Sequence, residues 1–225
     1  MATLLIDVDG TLIDSYPGIR SSFIATLRAQ GMEIPDDAWL QSIPGPPIDH
    51  SFARLGLDPT EIRVAKDLYR EHYDLSGWLE SSLFAHWPET LAQWKEAGLT
   101  LCVATSKNQA IATTMLKHFD IAQYFDFIAG AQEYGSRSSK ADVIKYVLDS
   151  MNLTVGRSNI LMIGDRSHDV EGAQQFGIPT VLVSWGYGNS EEWQKAYRVA
   201  NTMTELKGIV NVFNNSPDFS ASDES

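Results

Sequence analysis

The stretch LLIDVDGT, residues 4–11, decides the fold. An apolar run, Leu4 to Ile6, ends directly in two aspartates, Asp7 and Asp9, with Gly10 and Thr11 behind them. Consecutive apolar residues without alternation suit a strand buried on both faces, as in a parallel sheet covered by helices. In an open sheet of that kind, ligands bind beyond the carboxyl ends of the strands, so both acids stand where a site would form. The same residues also fit a plainer reading, in which Asp7 caps the next turn and Asp9 with Gly10 makes an ordinary Asp-Gly turn.

The pattern recurs along the chain. Strands are predicted at Leu4–Ile6, Leu99–Ala104, Phe127–Ala129, Ile160–Ile163 and Thr180–Val183, alternating with amphipathic stretches, which points to an α/β fold. One helix is expected over Pro88–Ala97, with Pro at its first position and Gly98 past its end. Others start near Asn108, Lys140 and Asp169. Residues 16–86 break the alternation: no strand is predicted there, and the clearest helix is Pro59–Tyr73, where Ile62, Ala65, Tyr69 and His72 recur at spacings of three and four. SYPG (residues 15–18) and FAHWP (residues 84–88) are candidate hinges. The chain therefore divides into a core (1–15 and 87–213), a helical insert (16–86) and a polar tail, 214–225, expected to be disordered.

Composition removes several alternatives. Of 225 residues, 17 are Lys or Arg and 29 Asp or Glu, a formal charge of −12, while 44% are hydrophobic and 20% charged. Such a chain folds, and its acidity opposes binding to nucleic acid or anionic lipid, both of which need clustered cations. The single Cys, Cys102, lies in the apolar run LTLCVA and reads as a small hydrophobe, which fits a reducing cytoplasm. The start, MATLLIDVDG, lacks a basic segment and meets two acids early, so neither signal peptide nor membrane span is expected.

A second pair of acids follows another apolar strand: after ILMI come Gly164, Asp165, Arg166, Ser167, His168 and Asp169. If a helix starts near Ser167, Asp169 lies in its first turn, where a carboxylate also simply suits the helix dipole. Were all four acids to converge, each like-charged pair at about 4 Å would repel by roughly 4 kcal/mol at an effective dielectric near 20. A cation must then compensate; with no Cys or His cluster to suggest zinc, Mg²⁺ is the expected ion. A third strand end carries Thr105, Ser106, Lys107 and Asn108 ahead of a helix, either a cradle for phosphate or a plain cap by Ser106 or Asn108. Lys140 opens a helix, where a cation is mildly unfavourable, so it either has a negative partner or is simply exposed.

The ordered set DVDGT (7–11), Thr105, Lys140 and GDRSHD (164–169) resembles the haloacid dehalogenase superfamily of phosphohydrolases. IPGPP (43–47), SRSSKADVI (136–144) and VSWGYGNSEEW (183–193) resemble its phosphoglycolate phosphatase-like members. The resemblance implies a Rossmann-like parallel-sheet core flanked by helices, with residues 16–86 as an inserted all-helical, C1-type mobile cap. It makes Asp7 the nucleophile that forms an aspartyl-phosphate and Asp9 the general acid and base. Mg²⁺ would be held by the Asp7 and Asp165 carboxylates and the Asp9 backbone carbonyl, with Asp169 supporting the shell. Gly10, Thr105, Ser106 and Lys140 would bind phosphate, Lys140 also offsetting charge on Asp7. Arg20, Arg54 and the Gly45–Pro46 loop are candidate substrate contacts. Glu89 stands where many relatives have Gly at the cap exit. The implied activity is Mg²⁺-dependent hydrolysis of a small phosphorylated metabolite by a monomer or homodimer. The alternatives are a 5′-nucleotidase or pyrophosphatase and, more distantly, a phosphosugar mutase or a retired binding module. Asp9 argues against the metal-free dehalogenase branch.

Overall fold

A computed structural model describes residues 1–132, 135–156 and 159–215. The chain forms two compact units, Met1–Leu12 with Phe84–Ser225, and Ile13–Leu83. In chain order the strands are β1 (Thr3–Ile6), β2 (Ile13–Asp14), β3 (Ser82–Leu83), β4 (Thr100–Asn108), β5 (Phe127–Ala131), β6 (Ile160–Gly164), β7 (Thr180–Val183) and β8 (Arg198–Ala200). The helices are α1 (Tyr16–Ala29), α2 (Asp37–Leu40), α3 (Ile48–Arg54), α4 (Pro59–Leu75), α5 (Trp87–Glu96), α6 (Gln109–His118), α7 (Lys140–Ser150), α8 (Ser167–Gln174), α9 (Ser190–Trp193) and α10 (Met203–Asn215).

The first unit is built on a parallel sheet of order β5-β4-β1-β6-β7-β8. The expected α/β architecture with a parallel core is thus the observed one. Leu4, Leu5 and Ile6 are fully buried, as are Leu101–Ala104, Leu161–Ile163 and Val181–Val183. That explains the unbroken apolar runs: both faces are covered, so alternation has no purpose. On one face Val143, Ile144, Val147 and Leu148 of α7 and Ala173 of α8 pack with Leu5, Cys102, Ala104, Ala129, Ile160 and Met162. Burial pushes the Cys102 thiol up to about 12, so it is an inert core group. The chain runs outward from β1 to β4 and β5, then crosses back to β6 on the other side. The carboxyl ends of β1, β4 and β6 therefore lie together at the point where strand order reverses, the place open sheets reserve for ligands.

Several boundaries differ from the sequence reading. Strand β4 continues through the polar residues Thr105–Asn108, with a register shift between Thr105 and Asn108. Strand β8, whose residues Arg198–Ala200 form no apolar run, joins the sheet edge unforeseen. Helix α10 takes in Asn214 and Asn215, which polarity alone had placed in a disordered tail. There the Ala2 N–H donates to Asn214 Oδ1 at 2.8 Å and Asn159 Nδ2 to the Phe213 carbonyl at 2.9 Å. Residues 216–225 lie outside the described residues. Among the described residues no helix is long and apolar enough to cross a membrane.

The Ile13–Leu83 unit is helical but not wholly so. Its two ends pair antiparallel, Ile13 with Leu83 and Asp14 with Ser82; two-residue strands carry no periodicity that a sequence reading could detect. Inside it, Phe23 stacks on Phe52 at 4.8 Å between ring centroids. Helix α4 starts with a reciprocal cap, Asp58 accepting from the Thr60 and Glu61 amides while Glu61 accepts from Asp58 N–H. Its buried stripe is Ala65, Tyr69 and Tyr73, with Ile62 and His72 only half-buried.

Candidate active site

Strand β1 delivers Asp7 to the sheet edge, its amide still bonded to the Ile163 carbonyl at 2.9 Å. The chain then turns through Gly10 at φ +79°, where a Cβ would strike the Asp165 carboxylate and the Tyr187 ring, so only glycine fits. Strand β6 ends at Gly164, and Asp169, in the first turn of α8, folds back to accept from the Asp165 and Arg166 amides, both at 3.1 Å. Lys140 opens α7 behind a reciprocal Ser139–Asp142 cap. Its Nζ lies 2.7 Å from Asp7 Oδ1, 2.7 Å from Asp169 Oδ1 and 2.9 Å from the Ala104 carbonyl. The unfavourable position of this lysine at a helix start is thus offset by two carboxylates.

Asp7, Asp165 and Asp169 are all buried, and each offers an oxygen within 4.8 Å of the others. One buried lysine cannot neutralise three such acids, and the acid–base balance shows the deficit. Burial raises the Asp7 carboxyl above its usual range, against the pull of Lys140, and Asp169 adds to the rise. Burial and the neighbouring acids raise Asp165 well above that range. Asp169, though buried, is held below it because Lys140 and His168 favour its charge. Burial opposes charge on Lys140, but Asp169 and Asp7 together keep its proton more tightly held than that of a free lysine.

Among the described residues, Asp165 Oδ1 is buried with no hydrogen-bond donor, while Oδ2 accepts the Tyr187 amide at 2.7 Å. A set of hard carboxylate oxygens, one of them without a donor and the set short of positive charge, fits a divalent cation such as Mg²⁺. Asp7 and Asp165 would hold it, with Asp169 behind. The Asp9 carboxylate stands outside this group, so a metal role for Asp9 would fall to its backbone carbonyl.

Residues 4–183 match the family described as haloacid dehalogenase-like hydrolase. The chain belongs to that family. Among its relatives, tyrosine-protein kinase PtkA of Mycobacterium tuberculosis is 40% identical over 215 residues, covering 93% of this chain and 72% of that protein. A 5′-nucleotidase of Pseudomonas aeruginosa is 36% identical over 190 residues, covering 84% and 85%. A crystal structure of a predicted phosphatase from Clostridium acetobutylicum superimposes with a TM-score of 0.88 at 34% identity, covering 94% of this chain and 98% of that one. The protein is therefore a haloacid dehalogenase-like hydrolase with phosphatases among its relatives.

Around the acids, the end of β4 in this hydrolase carries the helix cap that the sequence offered as the plainer of two readings. Thr105 is buried there and its Oγ1 accepts the Lys107 amide at 3.2 Å. Ser106 sits in the irregular part of the strand, not at a helix start. The cap of α6 is filled by Asn108, whose Oδ1 accepts from the Ala110 amide at 2.9 Å and the Ile111 amide at 3.5 Å. Lys107, one polar residue among TSKN, has a partner that its sequence neighbours do not announce. Its Nζ is 3.1 Å from both Asp9 oxygens, with the two side chains 8% and 19% exposed. The carbonyl of Thr11 accepts two indole N–H groups, from Trp87 at 2.9 Å and Trp185 at 3.2 Å, which pins the turn that follows Asp9.

The remaining candidates lie in the Ile13–Leu83 unit, where both arginines have partners. Arg20 pairs with Asp37 at 2.6 Å. Arg54 lies 4.7 Å over the Trp39 ring and donates to Ser42 Oγ at 2.9 Å. Gly45 takes φ +108° and Pro46 is exposed.

Proposed function

We propose that this hydrolase is a Mg²⁺-dependent phosphatase that cleaves a small phosphorylated metabolite through an aspartyl-phosphate on Asp7. The observation that carries the reading is Lys140 bridging Asp7 and Asp169 at 2.7 Å beside the donor-poor Asp165. Lys140 fixes one Asp7 oxygen, so the carboxylate is oriented before substrate arrives, and its other oxygen attacks phosphorus. Asp9 protonates the departing alkoxide, then takes a proton from the water that hydrolyses the phosphoaspartate. The Thr105 hydroxyl donates to a phosphoryl oxygen, and the Lys140 ammonium offsets charge on Asp7 and on the transferring group through both steps. Mg²⁺, when bound, supplies further neutralisation of the charge on the transferring group.

In this reading the Ile13–Leu83 unit is the cap that selects the leaving group. Its six Lys and Arg residues face eleven acids in composition, which favours small substrates without extra phosphates. Phosphoglycolate-like esters are the first choice. The 5′-nucleotidase relative supports a nucleoside monophosphate as the second.

The test is a phosphate-release screen with purified protein over phosphoglycolate, 5′-nucleotides, pyrophosphate, sugar phosphates and phosphotyrosine, each with Mg²⁺ or EDTA. Turnover is expected with Mg²⁺ only. Turnover that persists in EDTA, or in Asp7→Asn, overturns the mechanism.

A further inference from the structure

Glu192 plays no part in the chemistry just described, yet it is built into the same corner of the fold. It sits in α9, but its side chain is only 12% exposed. Its Oε2 accepts the Ser167 amide at 2.6 Å and Arg166 Nε at 3.0 Å, and its Oε1 accepts Arg166 Nε and Asn189 Nδ2, both at 3.2 Å.

The first amides of a helix have no partner within it. Around the start of α8 three consecutive amides are taken by carboxylates: Asp165 and Arg166 by Asp169, and Ser167 by Glu192. The segment that carries Glu192 also approaches Asp165 directly. Tyr187 N–H donates to Asp165 Oδ2, and a Cβ on Gly186 or Gly188 would collide with Asp165. Glycines at both positions let the backbone come this close, and Glu192 ties the far end of the segment to Arg166 and Ser167.

We infer that Glu192 is a positioning residue for the metal-holding acids. It clamps the residues 186–192 segment onto the Arg166 guanidinium and the Ser167 amide, so that Asp165 keeps Oδ2 on the Tyr187 amide and Oδ1 with no protein donor. The inference rests on the proposed Mg²⁺ site. Partners that orient metal ligands typically change metal affinity ten- to a hundredfold when removed.

The experiment is calorimetric titration of Mg²⁺ into the full-length wild type, Glu192→Ala and Glu192→Gln, with melting curves in EDTA and in Mg²⁺. Glu192→Ala is expected to raise the Mg²⁺ Kd by about tenfold or more and to shrink the rise in Tm on adding Mg²⁺. Glu192→Gln keeps an acceptor for the Ser167 amide and is expected to recover part of that affinity. A merely structural role would lower Tm equally with and without the ion and leave Kd unchanged. If Glu192→Ala does not fold, Glu192→Asp carries the test, since it keeps the charge but withdraws the carboxylate from the Ser167 amide. A wild-type Kd in the folded variant overturns the inference alone. Absence of Mg²⁺ binding in the wild type overturns the reading of the site itself.

Discussion

Lys140 and Arg20 hold aspartates at nearly the same distance, 2.7 and 2.6 Å, but the side chains of the Lys140–Asp7 pair are 3% and 5% exposed and those of the Arg20–Asp37 pair 39% and 77%. Distance says little about what such pairs are worth. An exposed pair stabilises by about 0–1 kcal/mol, whereas losing one partner of a buried pair costs about 3–5 kcal/mol, because the other charge is stranded away from water. Among the described residues, the core unit accepts that liability where β1, β4 and β6 end. In the Ile13–Leu83 unit the ion pairs at Arg20–Asp37 and Lys66–Asp49 stay at least partly in water. The contrast marks where selection for chemistry has overridden selection for stability.

The contrast can be broken by experiment, the largest effect first. Asp7→Asn should lower phosphate release by at least about a thousandfold, as expected for a lost nucleophile. It should also leave the protein folded, or raise its melting temperature in EDTA, because Lys140 keeps Asp169 as its partner while one member of a crowded acidic group is neutral. Lys140→Met should destabilise by about 3–5 kcal/mol in urea unfolding at neutral pH in EDTA, while Arg20→Ala should change stability by less than about 1 kcal/mol. Equal losses in the two variants would show that burial does not set the worth of these pairs.

Acidity sharpens the comparison next. Asp7 and Asp165 have folded-state carboxyls raised above their unfolded values, so the folded protein binds more protons and gains stability as pH falls toward the ordinary carboxylate range. Asp169 is shifted the other way, and its contribution is lost as pH falls below that range. In EDTA the melting temperature should therefore rise from pH 8 into the mildly acidic region and then drop. Asp165→Asn should flatten the rise. The smallest catalytic effect is expected at Lys107, where Lys107→Ala frees the Asp9 carboxylate: a loss of about tenfold in kcat, a fraction of what general acid–base catalysis supplies. Unchanged kcat would make that ion pair incidental.

The parts legible in the sequence are those whose cause is local. Buried strands announce themselves as apolar runs, and acids placed directly after two of them, at Asp7 and Asp165, mark the edge. Lys140 was conspicuous because its charge opposes its helix. What escaped depends on partners far along the chain. Lys107 reads as one polar residue in TSKN, and nothing nearby reveals Asp9, 98 residues away, as its partner. The continuation of β4 through those polar residues is fixed by pairing with β5, not by propensity. Glu192 looks like a solvated acid until α8 presents it with an unpaired amide. Strand β8 and the β2–β3 ladder are too short for any pattern.

The Thr11 carbonyl, shared by the indoles of Trp87 and Trp185, has a practical consequence. Two of the chain's six tryptophans touch the turn that follows the first pair of acids. Any rearrangement of that turn changes the polarity around both rings, so the protein's own ultraviolet emission is a gauge of the loop, readable in a stopped-flow instrument without an added dye.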